Sequence, residues 1–267
     1  MKDVLTNLSR KLGSNSEVER LRDCYLSLMQ SCLTGTIYED KPLSVVGGDV
    51  YDRAMREVGR DWPSMAHTMI GVKRLSNLRT LAETVIANRI AGDFIETGVW
   101  RGGACIMMRA VLKAYNVIDR RVWVADSFQG LPAPDVDRYP ADADSDYHTF
   151  EELSIPFETV RNNFEKYGLL DDQVVFLKGW FKDTLPKAPI NRLALLRLDG
   201  DLYESTTDAL NALYDKLSVG GYVIVDDYHV VPGCNKAIGD FLAARKIPSK
   251  LSEIDGVGVF WQKTSQG

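Results

Sequence analysis

Four aspartates follow two strongly apolar segments of the chain. Asp199 and Asp201 come directly after a leucine-rich segment, and Asp226 and Asp227 come directly after a segment rich in valine and isoleucine. Asp199 and Asp201 are two residues apart, so their side chains point to the same side of an extended chain. If the segments are neighbouring parallel strands, the four carboxylates meet at one edge of the sheet, where their repulsion calls for a cation. Mg²⁺ suits an all-oxygen ligand set, although each aspartate could instead cap a helix.

A divalent ion at this place suits methyl transfer to a hydroxyl group. The pKa of a sugar hydroxyl lies far above that of a carboxylic acid, so an aspartate alone is a poor base for it, whereas an ion stabilises the developing alkoxide. Two vicinal hydroxyls could chelate the ion and place one oxygen in line with a sulfonium methyl group. His229 follows the second acidic pair closely and could contact the substrate or act as the base.

A glycine-rich turn follows the apolar segment DFIET. Gly98 and Gly102 fall in this turn, where glycine permits a positive φ and lets a ligand approach the backbone. The spacing G-x-x-x-G-G differs from the G-x-G-x-x-G of dinucleotide sites. Glu96, two residues before the turn, would repel a diphosphate but suits the ammonium and sulfonium groups of S-adenosylmethionine. A structural turn without a ligand is the alternative.

Two further segment ends supply candidate nucleoside contacts. Asp126 occupies the place from which a carboxylate can accept hydrogen bonds from both ribose hydroxyls, although it and Ser127 could simply cap the turn. Gly179, Trp180 and Phe181 follow the third apolar segment, and their aromatic faces could stack on adenine or pack in the core.

From Asp93 onward, short apolar segments alternate with helical patterns. This alternation predicts an α/β fold with a mostly parallel sheet and helices on both faces, in which ligands bind at the carboxyl ends of the strands. Helices are expected near residues 104–115, 160–167 and 206–216. All the candidate residues named so far follow or end a predicted strand, so the sheet would bring them to one edge.

Residues 1–88 are predicted to form a helical extension that covers the site, ahead of a core at 89–267. Apolar residues recur at helical spacing in two parts of this extension. The first helix is expected to bury Leu21, Tyr25, Leu28 and Met29.

An acidic segment interrupts the core. Asp142 begins a D-x-D-x-D pattern, but Tyr147 and Leu153 stand where a calcium-binding EF-hand requires glycine and glutamate. We therefore predict that residues 131–155 form a solvated or mobile lid over the cleft, with a role in substrate choice.

Composition excludes several classes of function. The net charge is −5 with acidic and basic residues interspersed, which argues against nucleic acid as a partner. The amino terminus lacks the apolar core of a signal peptide, and no segment approaches 18 consecutive apolar residues, so we expect a cytoplasmic protein without a membrane partner. The four cysteines are scattered and are expected to be free thiols, and three histidines are too few for a histidine-rich metal site.

Five strings carry a family resemblance: AHTMIG, GDFIETGVWRGGA, VADSFQGLP, LLRLDGDLYEST and VIVDDYH. Over about residues 61–261 the chain resembles the macrocin O-methyltransferase family. The resemblance implies the class I S-adenosylmethionine-dependent methyltransferase fold, which is Rossmann-like with a seven-stranded sheet. It also implies Mg²⁺ held by Asp199, Asp226 and Asp227, with Asp201 as the general base.

The same resemblance implies a set of cofactor contacts from the strand ends and from the covering segment, which is the later part of the predicted extension at residues 1–88. These residues are Glu96, Asp126, Ser127, Thr68, Met69 and Ile70. Asp199 is expected to border the cofactor as well as the ion.

The expected reaction is methyl transfer from S-adenosylmethionine to a deoxysugar hydroxyl of a glycosylated natural product, in antibiotic biosynthesis. A metal-dependent methyltransferase of a catechol-like phenol is an alternative, since such diols chelate the same ion. An NAD-dependent oxidoreductase and a catalytically silent binding protein are alternatives of other classes. The apolar amino-terminal helices could pair two subunits in a homodimer.

Overall fold

The computed structural model describes residues 2–46, 48–248 and 250–265, and for residues 2–15 it describes the backbone alone. A seven-stranded sheet lies at its centre. In chain order the strands are β1 (Asp93–Thr97), β2 (Val122–Asp126), β3 (Val174–Lys178), β4 (Leu193–Leu198), β5 (Leu217–Val225), β6 (Ser252–Glu253) and β7 (Val259–Gln262). Their order across the sheet is β3-β2-β1-β4-β5-β7-β6, with β1 to β5 parallel and β7 antiparallel to both of its neighbours. The predicted mostly parallel α/β sheet is confirmed.

Helices cover both faces of this sheet. They are α1 (Lys2–Leu33), α2 (Arg53–Glu57), α3 (Gly71–Ala87), α4 (Gly103–Ala114), α5 (Phe157–Lys166), α6 (Phe181–Thr184), α7 (Tyr203–Leu213) and α8 (Pro232–Ala244). Successive strand residues face opposite layers: Phe94 and Val124 pack with α1, α3, α4 and α5, whereas Ile95 and Trp123 pack with α7 and α8. In the described part of the chain, no helix is long and apolar enough to cross a lipid bilayer.

The amino-terminal extension shares the core of the sheet domain. Leu26, Met29 and Leu33 of α1 are buried in the same cluster as α3 and α4. Met29 was predicted in this stripe, but Leu21 and Leu28 are exposed, so the prediction was wrong for them. The face of α1 that is buried instead carries Leu26, Met29 and Leu33, which pack against residues of α3 and α4. Arg22 of α1 also donates from Nε to the Ala114 carbonyl of α4.

Two elements near the carboxyl end were not predicted. Helix α8 begins at Pro232, a favourable first helical residue, but Gly233 and Gly239 weaken its helical signal. Strand β6 is two residues long, and it is ordered by pairing with β7. Helix α8 packs beside α7 on one face of the sheet, and β6 forms the sheet edge beyond β7.

A buried ion pair organises the segment between α1 and α3. The Arg56 side chain is fully buried, and its Nε donates to both carboxylate oxygens of Asp61 at 2.9 Å. Its two terminal nitrogens donate to the Thr34 and Asp40 carbonyls, each at 2.6 Å. One guanidinium therefore ties together three parts of the covering segment.

Replacing this guanidinium should loosen the cover. We expect Arg56→Met to lower the free energy of unfolding by about 3–5 kcal/mol, because Asp61 would stay buried without its partner. Urea unfolding measures the change. Arg53→Met is the matched control, since Arg53 is an exposed residue of the same helix and its loss should cost less than about 0.5 kcal/mol. A loss below about 1 kcal/mol for Arg56→Met would contradict this role.

Candidate active site

The strand register brings the predicted residues to one edge. Thr97 of β1 pairs with Ala125 of β2 and with Leu198 of β4, and Leu198 pairs with Val225 of β5. The residues that follow these positions therefore lie side by side where the strands end. A cavity of about 720 Å³ opens at this edge, and it is lined by strand ends, by the covering segment and by the lid.

Glycines allow the loops at this edge to pass close to each other. Gly98 has a φ of 85°, and a Cβ there would overlap the Asp199 carbonyl oxygen. Gly102 has a φ of 86° at the start of α4, and a Cβ there would lie 2.8 Å from Val160 Cγ1. Gly98 lines the cavity, whereas Gly102 and Gly179 do not. At those two positions a Cβ would crowd a neighbouring side chain, so the close packing of the chain favours glycine there.

Glu96 is buried at the end of β1 with both carboxylate oxygens engaged. Arg197 Nη1 donates to Oε1 at 2.5 Å, and the Cys105 thiol donates to Oε2 at 2.9 Å. Burial raises the pKa of Glu96 to about 7, although the Arg197 charge acts in the opposite direction. Burial and Glu96 together hold the pKa of the Cys105 thiol well above its usual range, which agrees with an unreactive core cysteine.

Asp126 and Ser127 organise the turn after β2. The Asp126 carboxylate accepts hydrogen bonds from the Val99 amide at 2.8 Å and the Phe128 amide at 2.6 Å. Ser127 Oγ donates to the Gly130 carbonyl at 2.8 Å. Both residues line the cavity, so the capping role and a ribose contact are compatible.

The remaining predicted cofactor contacts also reach the cavity wall. Trp180 and Phe181 line it, and so does the stretch Thr68, Met69 and Ile70. Phe181 lies over the turn that follows β4, with Cε2 3.0 Å from the point where a Cβ at Gly200 would stand. Glycine at the centre of D-G-D thus leaves room for an aromatic ring.

Asp199, Asp226 and Asp227 form a compact acidic group. One carboxylate oxygen from each lies within 4.8 Å of the others. Asp227 Oδ2 is buried and has no hydrogen-bond partner among the described residues. Burial and the neighbouring carboxylates of Asp201, Asp199 and Asp226 raise the pKa of Asp227 well above its ordinary value. The group has the oxygen donors, spacing and unused ligand atom that a hard cation requires.

Two arginines that were not among the predicted site residues hold this acidic group. Arg197 donates to Asp199 Oδ2 at 2.7 Å and to Asp226 Oδ1, while Arg74 of α3 donates to Asp226 Oδ2 and, through Nε at 3.0 Å, to Asp255. Burial raises the pKa of Asp226 to about 6 against the effect of both arginines. Arg197 could have been found from the sequence, because a charged residue within LALLRL requires a buried partner.

Asp201 lies beside this group in an unusual backbone conformation. Its φ is +57°, a region that aspartate tolerates better than most residues. Burial and the charges of Asp199 and Asp226 raise the pKa of Asp201 to about 8. Asp201 lines the cavity, so a carboxylate with a raised pKa is available there to take up a proton.

The histidines lie outside this arrangement. His229 does not line the cavity, and its Nε2 contacts the Glu253 carboxylate at 2.9 Å. His67 Nδ1 is 2.8 Å from the Tyr167 hydroxyl, and burial lowers the pKa of His67 to about 4. Thus the structure pairs His229 with Glu253 and does not bring it to the acidic group of Asp199, Asp226 and Asp227. The low pKa of His67 agrees with a neutral structural histidine.

The lid is attached to the rest of the site more firmly than predicted. Asp144 and Asp146 are exposed as expected for a solvated segment, but Asp142 is 3% exposed and bonds to the start of α7. Trp100 Nε1 also donates to the Glu152 carbonyl at 2.9 Å. The expectation of a solvated segment was therefore wrong for Asp142, because its carboxylate satisfies backbone donors that would otherwise be unpaired.

Comparison with known proteins identifies the family. Residues 8–263 match the family model for macrocin-O-methyltransferase (TylF). An 8-demethyl-8-(2,3-dimethoxy-alpha-L-rhamnosyl)-tetracenomycin-C 4'-O-methyltransferase of Streptomyces olivaceus is 55% identical over 250 residues, covering 92% of this chain and 95% of that protein. A mycinamicin III 3''-O-methyltransferase of Micromonospora griseorubida is 47% identical over 250 residues, covering 91% of this chain and 97% of its own.

A solved structure shows the same relationship. The O-methyltransferase NovP is 54% identical, with a TM-score of 0.88 over 91% of this chain and 100% of its own. The family resemblance seen in the sequence is confirmed, and the oxidoreductase and silent-binder alternatives are set aside. The chain belongs to the macrocin O-methyltransferase family, and it is an O-methyltransferase with the class I S-adenosylmethionine-dependent methyltransferase fold.

Proposed function

We propose that this enzyme transfers the methyl group of S-adenosylmethionine to a deoxysugar hydroxyl of a glycosylated natural product, with the help of Mg²⁺. The observation that carries the proposal is the acidic group of Asp199, Asp226 and Asp227, which shares one cavity with Glu96 and Asp126. The tetracenomycin relative is named for 4'-O-methylation of a rhamnosyl compound, and the mycinamicin relative is named for 3''-O-methylation of mycinamicin III. A catechol-like acceptor has no such support.

The cofactor would occupy the part of the cavity next to β1 and β2. Glu96 supplies a carboxylate for the amino group, and Asp126 supplies one for the ribose hydroxyls. Trp180 and Phe181 offer aromatic faces for the adenine ring. The D-G-D turn would border this part of the cavity, because it follows β4, the strand next to β1.

Asp199, Asp226 and Asp227 would hold the ion, and the unpartnered Asp227 Oδ2 is the observation that favours this. When bound, Mg²⁺ supplies Lewis acidity that lowers the pKa of a sugar hydroxyl. Arg74 and Arg197 orient the Asp226 carboxylate, so its position does not depend on the ion alone.

Asp201 is the base that we propose, in preference to His229. It would take the proton of the acceptor hydroxyl as the oxygen attacks the methyl carbon and the carbon–sulfur bond breaks, leaving S-adenosylhomocysteine. The left-handed backbone of Asp201 is held by the short turn in which the Leu202 amide donates to the Gly200 carbonyl at 2.6 Å. His229 is disfavoured as the base because its Nε2 contacts the Glu253 carboxylate and the residue does not line the cavity.

The acceptor side of the cavity combines carboxylates with apolar surface. Met55, Trp62 and Tyr147 contribute apolar and aromatic surface to its lining. The hydroxyls of a sugar would face the acids, and an apolar aglycone would contact these side chains.

We also propose that the enzyme acts in the cytoplasm.

Removing the base should slow the chemical step without lowering the affinity for the cofactor. We expect Asp201→Asn to lower kcat/KM by about 10²–10⁴-fold, because the amide cannot accept the hydroxyl proton. Product formation from a panel of desmethyl glycosides, with calorimetry of S-adenosylhomocysteine, measures both properties. Asp183→Asn, an exposed position on α6, is the matched control. Full activity of Asp201→Asn would show that another group is the base.

The acidic group should make the ion's effect on stability depend on pH. The pKa values of Asp226, about 6, and Asp201, about 8, exceed the ordinary value of 3.8. Protonation therefore stabilises the ion-free fold at low pH, and that stabilisation is lost as the pH rises through these values. Mg²⁺ binds the ionised carboxylates, so the Tm increase that it causes should be larger at pH 8 than at pH 6.

Differential scanning fluorimetry with and without Mg²⁺ at the two pH values tests this expectation. The difference between the two Tm increases should be at least about 3 °C in the parent enzyme. It should shrink in Asp227→Asn, which lacks one ionisable ligand. A Tm increase that is absent, or larger at pH 6, would contradict the assignment of Asp199, Asp226 and Asp227 as ligands.

We further propose a homodimer that pairs through α1. Val18, Leu21 and Leu28 lie at helical spacing on one face and are 52%, 60% and 54% exposed, a costly arrangement for an isolated chain. The double variant Leu21→Glu, Leu28→Glu should be monomeric by size-exclusion chromatography with light scattering, whereas Ile118→Glu at an exposed site elsewhere should not change the mass. A parent enzyme that is already monomeric at micromolar concentration would refute this pairing.

A further inference from the structure

The lid supplies the missing cap of helix α7. Asp142 Oδ1 accepts a hydrogen bond from the Tyr203 amide at 2.7 Å, and Oδ2 accepts one from the Glu204 amide at 3.2 Å. The residue at the N-cap position of α7 is Leu202, whose side chain has no acceptor. Free amides at a helix start are normally satisfied by a local side chain. Here a carboxylate some sixty positions earlier in the chain does so.

The capped amides adjoin the proposed base. Tyr203 is two residues after Asp201, and between them lies the tight turn that gives Asp201 its positive φ. Movement of the first turn of α7 would therefore change the direction of the Asp201 carboxylate. A contact that fixes this helix start also fixes the base.

The first turn of α8 leaves a space for the same carboxylate. A Cβ at Gly233 would overlap Asp142 Oδ1 and would lie 3.0 Å from the Tyr203 amide nitrogen. The rings of Tyr139 and Tyr203 also lie against each other, with centroids 5.9 Å apart. The lid and the first turns of α7 and α8 thus enclose one buried carboxylate, whereas an acidic residue of a solvated loop would be exposed.

The lid carries a residue of the acceptor side. Tyr147 is five residues after Asp142 and lines the cavity together with Asp201 and Asp227. Docking of Asp142 on α7 consequently places Tyr147 against the region where the acceptor sugar would bind.

We propose that Asp142 is a positioning residue for methyl transfer: it docks the lid on α7 and, by the same contact, holds the turn that carries Asp201. Lid docking and alignment of the base are then a single event. The inference rests on the proposed function for its kinetic readout, but the docking itself can be measured without a substrate.

The first test uses Asp142→Ala and Asp142→Asn. Loss of the cap should lower kcat/KM for the fastest glycoside of the panel by about tenfold or more, while the affinity for S-adenosylhomocysteine changes by less than about twofold. Asn keeps one acceptor for the Tyr203 amide and should restore most of the activity. Arg138 is exposed within the lid, so trypsin cleavage after it, followed by mass spectrometry, should be about tenfold faster in Asp142→Ala.

The second test uses the space at Gly233. Gly233→Ala should mimic Asp142→Ala in both readouts, because its methyl group displaces the carboxylate. Adding it to Asp142→Ala should cause little further loss, since the displaced group is gone. Gly239→Ala is the matched control in the same helix, because a Cβ there meets no other atom within 4 Å.

The outcomes separate the possible failures. Parent-like kinetics and trypsin cleavage in Asp142→Ala would overturn the proposal, as would an equal loss of S-adenosylhomocysteine affinity, which would indicate general damage. If Asp142→Ala does not fold, Asp142→Asn and the Gly233→Ala and Gly239→Ala pair decide the question by the same readouts. If the parent enzyme methylates no glycoside, the proposed function fails, while trypsin cleavage still tests lid docking.

Discussion

The buried guanidinium of Arg197 is the interaction on which the site depends. It joins Glu96 of β1 with Asp199, which follows β4, and with Asp226, which follows β5, so one positive charge compensates carboxylates from three neighbouring strands. Leaving a buried charge without its partner costs about 3–5 kcal/mol, which makes this contact a condition for the strand ends to come together. Arg74 adds a second link from α3, so the amino-terminal extension helps to hold the acidic group.

The carboxylates at this edge of the sheet differ in how fully their hydrogen-bonding capacity is satisfied. Glu96 and Asp226 are satisfied by arginine, whereas Asp227 has a buried oxygen without a hydrogen-bond partner in the described part of the chain, and Asp201 has a positive φ. Such features lower the stability of an empty site and are typical of places where a ligand or a reaction uses them. Positive φ angles also occur at Trp100 after β1 and at Phe128 after β2, so several turns at this edge adopt conformations that most residues avoid.

The sheet and most of the site could be predicted because both follow from local patterns. Apolar segments ending in acids placed Asp126, Asp199 and Asp226 correctly, since parallel strands share one carboxyl edge. Contacts between distant segments could not be read in this way. The buried face of α1 depends on α4, and Asp142 looked like a solvated acid because its partners are backbone amides of α7, which leave no trace in the sequence. Arg197 stands out in the sequence as a charge within an apolar strand, but its partners Glu96 and Asp226 lie on other strands and are not evident from its neighbours along the chain.

Acceptor activation by a divalent ion at Asp199, Asp226 and Asp227 is the central claim for this enzyme. It is tested most directly by mass spectrometry of glycoside products formed with S-adenosylmethionine after treatment with EDTA, and again after Mg²⁺ is restored. We predict that product formation is lost in EDTA and returns with Mg²⁺. Undiminished product formation in EDTA would contradict the claim.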